Sequence, residues 1–152
     1  MAILKWSRRK LGLVHHNSLT ARPCNCDTWR HIEREHRDHV LARLMEWAWL
    51  FYKVQLKMLV RGDHVAVCEL VTLKPGEGRV RRVMEEICLW ADCGDITLEL
   101  SPSEHWGADV DRLTRFYFSL EFQYNHEPRN PFVVQEDLIR YPQPDRGHRA
   151  MR

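Results

Sequence analysis

The sequence lacks a long uncharged apolar run. Its most apolar stretch, residues 40–60, still contains Arg43, Glu46, Lys53 and Lys57. A helix that crosses a bilayer needs about 20 consecutive, predominantly apolar residues. We therefore expect no contact with a membrane.

A secretion signal and a disulfide framework are also missing. The apolar segment Leu11–Val14 is too short for the apolar centre of a signal peptide, which has about 7–15 residues. The chain has only five cysteines, an odd number, and its 152 residues are enough to fold without disulfides. These features predict reduced thiols and a cytoplasmic protein.

Positive charge is scarce outside the N terminus. Residues 1–22 contain five basic and no acidic side chains, whereas residues 23–152 contain 18 basic and 21 acidic ones, a net charge of −3. An acidic body without a basic stripe argues against a nucleic-acid-binding protein. We predict a basic N-terminal arm (1–22), one globular domain (23–142) and a flexible C-terminal tail (143–152), since 44% hydrophobic residues suit a single core.

Hydrophobic periodicity predicts an α/β (α+β) fold, with a mixed central sheet flanked by helices. The predicted elements are a helix over 29–51, an antiparallel hairpin over 54–60 and 64–73, a helix over 79–92, a strand over 96–100, a helix over 108–120, and two strands over 122–125 and 132–140. Gly94 is predicted to end the second helix. We expect antiparallel pairing at the start and end of the sheet, with a parallel crossover at its centre.

A glycine-containing loop connects a strand to a helix in the middle of the chain. Gly76 and Gly78 would let backbone amides approach a ligand, and Arg79, Arg81 and Arg82 lie at the start of the helix. Free amides at a helix N terminus bind phosphate. This pattern indicates a phosphate site, although a simple strand-to-helix turn explains the glycines equally well.

Several segments then resemble one family. They are Leu70–Gly78, Val83–Asp92, Ile96–Ser101 and Arg115–Phe122. They follow one another as in the GCN5-related N-acetyltransferases (GNAT). The closing pattern, from Arg115 through Asn125, Arg129 and Glu136 to Pro142, is similar to that of small bacteriophage-encoded members.

The resemblance implies a GNAT-like fold and acetyl-CoA as the cofactor. The strand over 64–73, including Val71 and Leu73, would pair with the pantetheine arm. The following loop would hold the pyrophosphate through residues at the start of the helix. Those residues are Gly76, Gly78, Arg79, Val80, Arg81 and Arg82. Two of the family's three defining loop positions differ, because Pro75 replaces Gln or Arg and Val80 replaces Gly or Ala.

The same resemblance assigns catalytic residues. Tyr117 occupies the position of the tyrosine that protonates the departing thiolate, which suits a phenol with an ordinary pKa of about 10. Near it, Glu121 replaces a glycine. Glu69, Glu99 and His105 are candidates for the general base, and we select Glu69 without excluding the other two.

Two functional hypotheses remain after this comparison. The first is an acetyl-CoA-dependent N-acetyltransferase that acts on an amine, such as a lysine of a host protein. The alternative is a GNAT-like phage protein with little or no catalysis, which binds and modulates a host bacterial protein in the host cytoplasm. Either could form a homodimer. The segment Cys24–Cys26 with its neighbouring histidines has unusual spacing for zinc, so we expect no metal site there.

Overall fold

The computed structural model describes residues 34–104, 107–129 and 131–143. The elements are α1 (Arg34–Tyr52), β1 (Val54–Arg61), β2 (His64–Thr72), α2 (Arg79–Gly94), β3 (Thr97–Leu100), α3 (Val110–Phe118), β4 (Gln123–Tyr124) and β5 (Leu138–Arg140). Their order confirms the predicted succession of helices and strands. The predicted N-terminal arm and nearly all of the predicted tail lie outside the described residues.

The strands form one mixed sheet in the order β1-β2-β3-β5-β4. β2 and β3 are parallel, and the other neighbouring pairs are antiparallel. This arrangement follows from the connections, because the short turn at Gly62 reverses the chain whereas α2 carries it across to a parallel neighbour. The predicted α+β class and the mixed sheet are confirmed.

The hairpin alternates as its sequence predicts. Val54, Leu56 and Met58 are buried, and the residues between them are exposed, because α1 and α2 pack on the inner face. The register shifts so that Lys57 pairs with Glu69 and Met58 with Val67. Cys68 is therefore an extra residue in β2, and a β-bulge bends the strand there.

The bulge coincides with the place where β2 and β3 separate. Their pairing covers only His64–Val67 against Thr97–Leu100. From Glu69 to Thr72, β2 pairs with β1 alone among the described strands. A wedge-shaped gap consequently opens along one edge of β2.

The second helix ends differently from the prediction. Gly94 is still helical, and Asp95 adopts the left-handed conformation (φ 56°) while its amide bonds the carbonyl of Ala91. Gly94 has another role, because a Cβ there would lie 2.8 Å from Cδ1 of Ile96. A side chain at position 94 would therefore have to displace the Ile96 side chain, and Asp95 provides the cap.

The predicted strand over 132–140 is wrong in extent, since only Leu138–Arg140 is a strand. Side chains bond the carbonyl oxygens that precede it. Arg61 donates to the carbonyl of Val134, Gln135 donates to that of Glu127, and Asn125 donates to that of Glu136. These bonds hold residues 125–129 and 131–137 as an irregular connection. The described helices include none that is both long and apolar enough to span a bilayer.

Candidate active site

A cleft of about 1070 Å³ fills the gap beside β2. Its walls are the unpaired edge of β2, the glycine loop, the first turn of α2, the segment after β3, and one side of α3. Strand polar groups that lack a neighbouring strand can hydrogen-bond an extended ligand. The cleft therefore combines a backbone edge with the glycine loop that the sequence singled out.

The N terminus of α2 follows a loop with two left-handed glycines and has no side-chain cap. Gly76 (φ 84°) and Gly78 (φ 67°) have left-handed backbones that favour glycine, and a Cβ on either would meet open space. Gly78 is the N-cap residue, no side chain caps the helix, and its first turn contains no acidic residue. The first turn thus lines the cleft with no carboxylate of its own, although the Glu77 carboxylate lies just before it and pairs with Arg79. Free amides and the positive end of a helix dipole favour an anion at such a place.

The arginines at this end make different contacts. Arg79 donates to the carbonyl of Tyr52 at 3.1 Å and pairs with Glu77. The guanidinium of Arg81 lies 5.0 Å from the ring centre of Phe116, on α3. Both are therefore held beside the first turn by neighbouring elements, which favours a preformed basic wall.

The structure brings most of the predicted cofactor residues into the wall of this one cleft. They are Val71, Gly76, Gly78, Arg79, Val80 and Arg81. Leu73 and Arg82 were predicted with them but do not line it, and Leu73 is 66% exposed. Cofactor contact by each of these residues stays a prediction.

Tyr117 lies in the cleft wall on α3. Asp109 begins the helix by accepting hydrogen bonds from the amides of Asp111 and Arg112. The Tyr117 ring packs edge-on against Phe116 and Phe122, at 5.0 and 5.7 Å between ring centres. The residue is only 7% exposed, and burial raises its pKa to about 12, so the phenol keeps its proton at neutral pH.

The exit from α3 retains the backbone that a glycine would provide. Glu121 has φ 71°, a left-handed conformation that is uncommon for a residue with a side chain. One carboxylate oxygen lies 3.7 Å from Nη2 of the buried Arg140. Glu121, which the resemblance sets at a glycine position, thus has a left-handed backbone and adds an ionic contact inside the fold.

Two of the three candidates for the general base are described by the structure, and they lie in different places. Glu69 lines the cleft, where it accepts a hydrogen bond of 2.8 Å from Nε2 of Gln55. Glu99 instead contacts His64, outside the cleft wall, and His105 lies outside the described residues. Tyr117 and Glu69, the two selected catalytic residues, therefore share one cleft.

Sequence reasoning missed other residues of the wall, including Cys68, Asp109 and Arg112. Cys68 reaches it because of the bulge, which depends on pairing with β1 and has no local sequence signature. Asp109 could have been found, because an aspartate before an amphipathic segment is a common N-cap.

Comparisons with known proteins give one structural likeness. Neither family models nor curated proteins match the chain. Among solved structures, the anti-CRISPR protein AcrVA5 is similar to it, with a TM-score of 0.42 and 18% sequence identity. That likeness covers 57% of this chain and 86% of the other.

Proposed function

We propose that the protein is an acetyl-CoA-dependent N-acetyltransferase that transfers an acetyl group to an amine. The observation that carries the proposal is the cleft itself. It places the free edge of β2, the uncapped N terminus of α2 and the phenol of Tyr117 around one cavity. The resemblance of roughly residues 50–142 to the GNAT family supports the same assignment.

Each wall of the cleft suits one part of the cofactor. The amides and carbonyls of β2 beyond Val67 can pair with the amide groups of a pantetheine arm, as a neighbouring strand would. The glycine loop and the first turn of α2 suit the pyrophosphate. Pro75 and Val80 depart from the family's loop, but backbone amides do not require those side chains.

The reaction would need little beyond positioning and proton transfer. The amine nitrogen attacks the thioester carbonyl carbon, a C–N bond forms, and the C–S bond breaks with its electron pair on sulfur. Glu69, directly or through water, accepts the proton lost from nitrogen, and Tyr117 gives its proton to sulfur. Both groups line the cleft in which the thioester would lie.

Isothermal titration of the full chain with acetyl-CoA tests the proposal. We expect saturable binding at one site, weakened about tenfold or more in Gly78→Ala because the new methyl group enters the phosphate cradle. Gly62→Ala is the matched control, since Gly62 has a similar φ (60°) and open space but lies in the hairpin turn. Absence of heat at millimolar acetyl-CoA would overturn the proposal.

A second candidate is a protein of the same fold that binds a host bacterial protein without catalysis. The observation in its favour is an apolar segment in the connection before β5, where Phe132 is 94% exposed and Val134 68% exposed. Exposed apolar patches mark interaction sites. This candidate predicts a partner that co-purifies with the wild-type chain from bacterial lysate but not with Phe132→Ser, together with no acetyl-CoA binding.

A further inference from the structure

Three potential metal ligands converge on the outer face of the sheet. His64 begins β2, Glu99 lies in β3, and Glu127 belongs to the connection between β4 and β5. Nδ1 of His64 is 2.6 Å from Oε1 of Glu99. One ligand atom from each of the three residues lies within 4.8 Å of the other two.

These spacings suit a single small cation. Ligand atoms about 2.0–2.2 Å from a tetrahedral Zn²⁺ are roughly 3.3–3.6 Å from one another. The separations observed here, from 2.6 Å to no more than 4.8 Å, bracket that range. Small side-chain rotations would therefore bring all three atoms to coordination distance.

The charge balance at this cluster favours a cation. Glu99 is only 5% exposed, and its register neighbours Ala66 and Ile139 are buried apolar residues. Two carboxylates face one imidazole, so the group is negative even when His64 is protonated. The nearby Arg61 pairs with a different carboxylate, that of Glu136. Buried carboxylates are stable when paired or bound to a metal.

A hydrogen bond from a residue outside the cluster orients the carboxylate of Glu127. The hydroxyl of Tyr141 donates to Oε1 of Glu127 at 2.9 Å. Metal-binding carboxylates commonly have such partners, which fix the orientation of the ligand oxygen. The bond also comes from a fourth chain segment, beyond β5, so the cluster is assembled by the fold and not by any local motif.

We propose that His64, Glu99 and Glu127 bind a first-row divalent cation, with Zn²⁺ as the first candidate. The cation would take the place of the proton between His64 and Glu99, and water would complete the coordination. One imidazole and two carboxylates suit Zn²⁺, and they also accept Mn²⁺ or Fe²⁺. Bound metal would tie the irregular connection to the centre of the sheet.

Zinc titration of the full chain, freed of metal with a chelator, tests this proposal by calorimetry and thermal melting. We expect ZnCl₂ to raise the melting temperature of the wild type. His64→Gln and Glu127→Gln should weaken Zn²⁺ binding about tenfold to a hundredfold and abolish the thermal shift. Glu127 is half-buried in an irregular connection, so its variant tests the site should His64→Gln fail to fold.

Two controls separate this site from other zinc ligands of the chain. His126→Gln changes an exposed histidine next to Glu127 that is not a member of the cluster, and should bind Zn²⁺ like the wild type. The double variant Cys24→Ser, Cys26→Ser removes the N-terminal thiols and should also retain the shift. Two results would overturn the proposal. One is loss of Zn²⁺ binding in the cysteine variant alone, and the other is equal Zn²⁺ binding by the wild type and both cluster variants.

Discussion

Tyr117 lies in the cleft wall and holds its phenolic proton firmly. Burial among aromatic rings supplies both, since it fixes the ring and raises the pKa to about 12. The raised pKa keeps the phenol protonated at neutral pH but also makes it a weaker acid, so proton transfer to sulfur would rest on close placement in the cleft. The same packing also explains why an aromatic cluster in the sequence is compatible with either a core or a catalytic role.

Replacing Tyr117 by Phe should separate those two roles. We expect kcat for acetyl transfer to fall about a hundredfold or more, because general acid catalysis is lost. The Kd for acetyl-CoA should stay within about twofold, since the aromatic packing remains. Steady-state kinetics with an accepted amine and calorimetry with acetyl-CoA measure the two quantities. Because the acid form is required and its pKa is about 12, ionisation of Tyr117 should not reduce wild-type kcat until the pH approaches that value.

Tyr124→Phe is the matched control for this experiment. Tyr124 is 55% exposed, packs edge-on against Phe118 at 5.2 Å between ring centres, and is not part of the cleft wall. The kcat of the Tyr124→Phe variant should equal that of the wild type. Equal turnover by Tyr117→Phe and the wild type would remove the phenol from the mechanism and leave it a packing role.

At the scale of elements, the short strand β5 depends on one buried ion pair. Arg140 is 1% exposed, and its two terminal nitrogens donate to the carboxylate of Asp92 on α2 at 2.6 and 2.9 Å. Its Nε also donates to the carbonyl of Leu120. A three-residue strand buries little area by itself, so these bonds anchor it to the helical layer.

Asp92→Asn should therefore destabilise the whole fold. Removing Asp92 leaves the buried Arg140 with only the more distant carboxylate of Glu121, at 3.7 Å. Breaking a buried ion pair in this way costs about 3–5 kcal/mol. Urea unfolding at neutral pH should show a lower midpoint with an unchanged slope. Glu85→Gln is the control, because Glu85 pairs with Arg81 on the surface at 3.9 Å and should change stability by about 0.5 kcal/mol or less. Similar midpoints for both variants would refute the anchoring role of Asp92.

The sequence predicts elements better than it predicts the contacts between them. The alternation in β1 and the apolar stripe of α2 are local, so the strand and helix could be located from periodicity. The pairing of Arg140 with Asp92, 48 positions apart, has no local signature. Similarly, the carbonyl of Val134, inside the predicted strand over 132–140, accepts a hydrogen bond from the distant side chain of Arg61.

In the candidate site, too, features with a local sequence pattern could be predicted and features that depend on distant contacts could not. The glycine loop and Tyr117 could be predicted because the loop has a local pattern and the tyrosine belongs to a recognisable family segment. The bulge at Cys68 and the separation of β2 from β3 depend on strand register. The cluster of His64, Glu99 and Glu127 also required the fold, because its members come from three distant segments.

At the scale of the whole molecule, the cleft lies between two parts of the sheet that share only a short stretch of strand pairing. One part is the β1–β2 hairpin, and the other is formed by β3, β5 and β4. Only the pairing of residues 64–67 with residues 97–100 connects them within the sheet. A ligand that pairs with the free edge of β2 would therefore extend the connection between the two parts.

Hydrogen exchange should reveal this extension directly. We expect saturating acetyl-CoA to slow exchange about tenfold or more at the amides of residues 68–72 that face the cleft, because they gain acceptors on the pantetheine arm. Residues 64–67 already pair with β3 and should change much less. ADP is the matched probe, since it carries a pyrophosphate without the arm and should protect the first turn of α2 only. Protection by acetyl-CoA that is absent from residues 68–72 would show that the free edge of β2 does not hold the cofactor, even if the loop at Gly78 binds its phosphates.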